Sequence, residues 1–183
     1  MYQEPKHIYS SYVSNNIGET IYNTVINLKP MKIIDFGLLY GYSTICLAQA
    51  VRDNGFGEII GYDLFEDYQY KNSNKSIVEY NLQYYNLNSY VTLIKKDFYK
   101  WLEEDDEFDL IHLDISNNGE IINKIHDKFP NGKIIFEGGT KERDGVEWME
   151  KHFSSPITHT QQKIQYNILN DQFPGISGIN VHI

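Results

Sequence analysis

At 183 residues the chain is long enough for one packed domain, and its 41% hydrophobic and 22% charged content is that of an ordinary globular protein. A formal net charge of −9 argues against a nucleic-acid partner, whose affinity is drawn largely from Lys and Arg on phosphates. No apolar run approaches the roughly 18 residues that cross a bilayer, and Met1 to His7 lacks the apolar stretch of a secretory signal, so a cytoplasmic location is expected.

Residues 8–29 carry apolar positions at Ile8, Val13, Ile17, Ile21, Val25, Ile26 and Leu28, the later ones three or four apart. That spacing predicts an amphipathic helix closed by Lys29-Pro30, since the residue before proline is pushed out of the helical region. Tyr9, Tyr12 and Tyr22 lie in this segment, either as packing aromatics or as part of a flap over a ligand.

Lys32 to Phe36 reads as a short buried strand, followed by the glycine turn Gly37-Leu38-Leu39-Tyr40-Gly41 and a helix starting near Ser43, whose hydroxyl is a candidate cap. Cys46 is the single cysteine and sits in the apolar run Ile45-Cys46-Leu47-Ala48, where it reads as filler; no intrachain disulfide or thiolate zinc cage is possible. Asp53-Asn54-Gly55-Phe56-Gly57 ends the helix, and Glu58 to Asp63 is a second strand finishing on a carboxylate. An acid there can accept both adjacent hydroxyls of a ribose.

A loop from Phe65 to Asn74 leads into a helix over Ser76 to Asn86, and Val91 to Lys95 is the third strand, followed by Asp97-Phe98. Asp97 suits the amino group of an adenine, and Phe98 its ring face. The acidic run Glu103 to Glu107 is a solvated loop, Phe108 to Asp114 the fourth strand, Glu120 to Phe129 a helix, and Lys133 to Glu137 the fifth strand. In an open parallel sheet, Asp63, Asp97, Asp114 and Glu137 then approach one rim, with Asp35 near Gly37.

Gly138-Gly139-Thr140-Lys141-Glu142-Arg143 reads as a substrate loop, its glycines flexible and two of its side chains cationic, leading into a helix that ends near Phe153. The last elements, Ile164 to Leu169 and Gly178 to Ile183, are joined by a linker too short for a helix and predict an antiparallel hairpin.

The Asp35-Phe36-Gly37 to Gly41-Tyr42-Ser43 motif, Tyr62-Asp63, Lys96-Asp97-Phe98 and the closing hairpin together resemble the class I S-adenosylmethionine-dependent methyltransferases, from about residue 30 to the end. The fold implied is α/β, Rossmann-like and doubly wound: a mostly parallel seven-stranded sheet with a C-terminal antiparallel hairpin, in a single domain over 1–183 whose first 30 residues form a helical segment and possible lid. The resemblance implies cofactor contacts from Asp35, Phe36, Gly37, Leu38, Gly41 and Ser43, then Asp63 and Leu64, then Asp97 and Phe98, and from Asp114. Where members of the family often have a third glycine, this chain has Leu39.

The ends of the fourth and fifth strands are similar to those of the small-molecule O-methyltransferases, some of which hold Mg²⁺ between carboxylates. Here Asp114 and Glu137 occupy those ends, and Gly138 stands where an amide or acid often follows. The implied activity is methyl transfer to a small-molecule hydroxyl, with Asp114, Glu137 and Arg143 as catalytic candidates, His126 or His152 as further bases, and Mg²⁺ and a homo-oligomer both allowed. His112, midway along a strand, reads as packing. Two other readings stay open: a methyltransferase-like domain that binds the cofactor without transferring its methyl group, and a dehydrogenase-type nucleotide-binding protein. The second lacks G-x-G-x-x-G, since the turn gives only Gly37-x3-Gly41.

Overall fold

A computed structural model describes residues 1–13, 15–68, 74–115, 119–140 and 164–182. Arg143, His152 and the helix expected before Phe153 lie outside these residues.

An interior strand, β1 (Lys32–Phe36), is flanked in parallel by β2 (Glu58–Asp63) and β4 (Leu110–Leu113). With β3 (Val91–Lys95), β5 (Lys133–Glu137), β6 (Asn167–Asn170) and β7 (Ile176–Ile179) it forms a seven-stranded sheet in the order β3-β2-β1-β4-β5-β7-β6. β7 runs antiparallel to both β5 and β6. The expected doubly wound sheet with a closing hairpin is therefore the observed one. Both faces are covered, which is why β1, β4 and β5 read as apolar runs rather than alternating patterns.

Alternation along β1 shows the two layers. Ile33 packs with α1 (Ile17–Leu28), α2 (Tyr42–Asn54) and α3 (Lys75–Tyr84), whereas Ile34 and Phe36 pack with α4 (Phe98–Leu102) and α5 (Gly119–Lys128) on the other face. The chain winds from β1 outward through β2 and β3, then returns to start again at β4. The gap between the C-terminal ends of β1 and β4 is thus the topological switch point, where open α/β sheets bind ligands.

Several boundaries differ from the sequence reading. The helix expected over 8–29 begins only at Ile17, because Asn16 takes a left-handed conformation (φ 59°) and the Ile8–Val13–Ile17 intervals do not keep one helical face. Residues 1–13 instead form an irregular arm with turns at Lys6–Ile8 and Ser11–Val13. The α4 helix was not anticipated: Asp97 is its N-cap, accepting from Tyr99 N–H at 2.9 Å and Lys100 N–H at 3.3 Å, and Phe98 and Trp101 are its buried side. The hairpin strands are shifted from those expected: β6 spans Asn167–Asn170, and β7 begins earlier, at Ile176, lying between Gly175 (φ 86°) and Asn180 (φ 55°).

Candidate active site

The turn after β1 is shaped by two close approaches. A Cβ on Gly37 would lie 2.1 Å from the carbonyl oxygen of Asp114, so glycine lets the ends of β1 and β4 meet; its φ is +84°. At Gly41 (φ +86°) a Cβ would sit 3.0 Å from Val78, so the second glycine admits α3. Between them Leu39 holds a left-handed φ of 50°, where a third glycine would be at ease. Leu38 is buried over Gly61. Gly41, not Ser43, is the N-cap of α2: its positive φ suits glycine, Ser43 is buried inside the first turn, and no side chain caps the helix.

Asp63 ties the end of β2 to this turn. Its Oδ2 accepts the N–H of Leu38 at 2.7 Å and of Leu39 at 3.3 Å, and its Oδ1 accepts the N–H of Phe65 at 2.6 Å. A carboxylate offers about four lone-pair sites, so roughly one remains for a further donor. The neighbouring Leu64 is half-buried.

Asp35 faces inward. It is 0% exposed; Thr44 donates to its Oδ2 at 2.7 Å and His112 Nδ1 lies 2.7 Å from its Oδ1. The two residues are register partners on β1 and β4. His112 is also 0% exposed, and among the described residues its Nε2 has no hydrogen-bond partner. Burial alone would lower the pKa of this imidazole, but the hydrogen bond and charge of Asp35 override it and hold it above the ordinary value.

Phe98, expected to lie against an adenine ring face, is part of an aromatic cluster. Phe36 stacks on Tyr62 (centroids 5.2 Å apart) and meets Phe98 and Trp101 edge-on at 5.4 and 4.9 Å. Phe98 is buried in that cluster, and Asp97 spends Oδ1 on capping α4.

On the first face, Asp114 and Glu137 end adjacent strands. Asp114 donates its N–H to Phe36 O at 2.9 Å, and its Oδ2 accepts from the phenol of Tyr12 at 3.1 Å. Glu137 is buried and accepts from Ser11 Oγ at 3.4 Å. Tyr12 is 1% exposed; burial, then the charges of Asp114 and Glu137 and its hydrogen bonds to both, keep its pKa well above the ordinary value and the phenol protonated. Sequence reading placed Tyr12 on a helix or a flap and did not connect it to the acids. The only available signal was an N-terminal tyrosine segment of irregular spacing.

Tyr12 arrives there on the arm of residues 1–13. Gln3 and Gln49 exchange two hydrogen bonds (2.7 and 2.8 Å), and Glu4 accepts from the hydroxyls of Tyr2 and Tyr42. His7 lies against Tyr84 and Tyr85 at the end of α3, and Tyr9 meets Tyr40 of the glycine turn edge-on. The arm thus runs from α2 across the turn to the ends of β4 and β5.

Gly138 and Gly139 are not a loose loop. Gly138 donates to Gly175 O at 2.9 Å and accepts from Ser177 Oγ at 2.7 Å, while Tyr166 donates to Gly139 O at 2.9 Å. The hairpin holds both glycines, and a Cβ at Gly139 would lie 2.4 Å from Ser177 Oγ. His126 lies on α5, on the sheet face opposite Asp114 and Glu137.

At the β4 and β5 ends, the two carboxylates of the Mg²⁺ set that the resemblance allows are each engaged by a hydroxyl donor. Two carboxylates face a phenol, Gly138 adds no side chain, and among the described residues no group of three or more His, Cys, Asp or Glu is placed to hold a metal ion. Among the same residues no helix is long and apolar enough to cross a membrane.

Compared with known proteins, residues 34–127 match the sequence model of a family described as a methyltransferase domain. No curated protein sequence matches significantly. Among solved structures, the SAH-bound methyltransferase PaMTH1 of Podospora anserina superposes with a TM-score of 0.63 at 19% identity, covering 91% of this chain and 78% of that one. An O-methyltransferase of Bacillus cereus in complex with SAH gives 0.62 at 19% identity, covering 94% and 84%. The O-methyltransferase TomG of Streptomyces achromogenes, which acts in tomaymycin synthesis and was solved with SAM, gives 0.64 at 13%, covering 97% and 84%. Similarities at these identities speak to the fold.

Proposed function

The chain belongs to the methyltransferase-domain family, and from that premise we propose that it takes a methyl group from S-adenosylmethionine and passes it to a hydroxyl of a small-molecule acceptor. The observation that carries this reading is the bond between Asp63 and the amides of Leu38 and Leu39, which joins the second-strand acid and the glycine turn into one unit at the switch point. Relatives in fold that bind SAM or SAH, two of them O-methyltransferases, support it.

The donor set suits such a cofactor. The first turn of α2, which follows the glycine turn, has no side-chain cap, and such N–H groups suit a carboxylate. Asp63 has about one acceptor site left for a ribose hydroxyl, and the second oxygen of Asp97, beyond the one that caps α4, suits an adenine amino group. Leu38 and Leu64 supply apolar walls. Asp35 acts from behind, bracing β1, α2 and β4 through Thr44 and His112.

When bound, S-adenosylmethionine supplies a sulfonium methyl open to in-line displacement. The protein's part is alignment, exclusion of water and removal of the acceptor's proton. Asp114 and Glu137 are the bases for that proton, which leaves the acceptor oxygen as it gains the methyl group. Arg143 is retained as a third catalytic candidate on the segment after the hairpin-anchored glycines.

The test is a label experiment. Protein incubated with methyl-labelled S-adenosylmethionine and a panel of hydroxylated small molecules is expected to release label into at least one of them. Cofactor binding without transfer across phenols, sugars and hydroxy acids would favour a binding role instead.

A further inference from the structure

We propose that Tyr12 is a positioning residue of the transfer site, its phenol hydrogen standing between Asp114 and Glu137 where two such carboxylates would otherwise call for a cation. The inference rests on the methyl-transfer reading for its purpose, though not for its geometry.

Two carboxylates at the ends of neighbouring strands, on one face of a sheet and largely out of water, repel each other and need a positive or hydrogen-donating group between them. A divalent cation is one solution. Mg²⁺ is held by one or two carboxylates with waters completing its octahedron, and here both carboxylates are engaged by hydroxyl donors instead. Tyr12 is the other solution. It is 1% exposed, it donates to Asp114 at 3.1 Å, and the Glu137 carboxylate bears on the same phenol. Ser11, next in sequence, donates to Glu137.

Tyr12 is not placed there by chance of one rotamer. Its ring meets Tyr42 of α2 edge-on at 5.8 Å, and the hydroxyl of Tyr42 reaches back to its carbonyl oxygen at 3.5 Å. The arm before it is fastened at Gln3 and Glu4, and Asn15 just after it donates to Phe173 O at 2.8 Å and Ser11 O at 2.9 Å. The phenol is thus delivered to the two acids from both sides, and it sets their orientation toward the acceptor without a metal ion.

The test is Mn²⁺ binding followed by electron paramagnetic resonance, with and without saturating S-adenosylhomocysteine. Wild type is expected to bind no Mn²⁺ more tightly than about 1 mM, and Tyr12→Phe, which keeps the ring and loses the hydroxyl, to bind it at least about tenfold more tightly. Asp114→Asn in the Tyr12→Phe background should abolish that gain. Wild-type Mn²⁺ binding in the micromolar range that Asp114→Asn removes would overturn the proposal, and so would a folded Tyr12→Phe that takes up no more Mn²⁺ than wild type. If Tyr12→Phe does not fold, the wild-type and Asp114→Asn titrations still decide. Calorimetry with S-adenosylhomocysteine on the wild type separates the two readings: failure there counts against the methyltransferase function and leaves the Mn²⁺ result standing.

Discussion

Asp63 accepts the backbone N–H of Leu38 at 2.7 Å, so the acid that ends β2 also fixes the turn that leaves β1. Replacing it therefore removes a brace and, with it, the acceptor proposed for a ribose hydroxyl. Asp63→Ala is expected to weaken S-adenosylhomocysteine binding by about 1.5–3 kcal/mol, the scale of a hydrogen bond to a charged group, or more if the turn relaxes. Titration calorimetry gives the answer, and an unchanged affinity would remove Asp63 from the cofactor site.

Gly37 and Gly55 both have positive φ, yet their surroundings differ. A Cβ on Gly55 meets nothing within 4 Å, whereas on Gly37 it meets the Asp114 carbonyl at 2.1 Å. Gly55→Ala should cost about 1–2 kcal/mol of stability, from backbone conformation alone. Gly37→Ala should cost about 4 kcal/mol or more, because backbone must move. Equal losses in urea unfolding would mean that the β1–β4 contact is not tight.

The pair Asp35 and His112 predicts a pH dependence with a defined sign. The imidazole pKa is raised by folding, so its ionised form adds stability that is fully present below the unfolded value of about 6.5 and is lost as pH rises through the higher folded value. The stability gap between wild type and His112→Gln should narrow over that rise. A gap that stays constant or widens would show that His112 is held neutral. Asp35→Ala, which strips a buried partner, should cost about 3–5 kcal/mol.

Much of this was legible in the sequence. Lys32–Phe36, Glu58–Asp63, Val91–Lys95 and Lys133–Glu137 are strands as read: β1 and β5 are short, largely buried apolar runs, and β3, at the sheet edge, is marked by its β-branched residues. The acids at those ends were visible too. Their hydrogen bonds were not: whether Asp35 faces a ligand or His112 depends on the register between β1 and β4, and no local pattern encodes that register. Residues 8–13 of the arm were expected to be helical, but apolar residues of an irregular segment laid across strand ends need no period. The α4 helix escaped notice because its five residues are shorter than the window in which periodicity shows.

Asp97 separates a structural from a ligand role. Its carboxylate caps α4. Asp97→Ala should cost about 1 kcal/mol of stability, and Asp97→Ser should restore most of it, since serine also caps. If Asp97 faces the adenine as well, Asp97→Ser will regain stability and not S-adenosylhomocysteine affinity. Recovery of both would confine Asp97 to the cap.

The most direct measurement is calorimetric titration of the wild-type chain with S-adenosylhomocysteine, run beside NADH. Saturable binding of one adenosylhomocysteine per chain, with none of NADH, is the predicted result. Absence of adenosylhomocysteine binding, or a preference for NADH, would contradict the assignment of the β1–β4 crevice to S-adenosylmethionine.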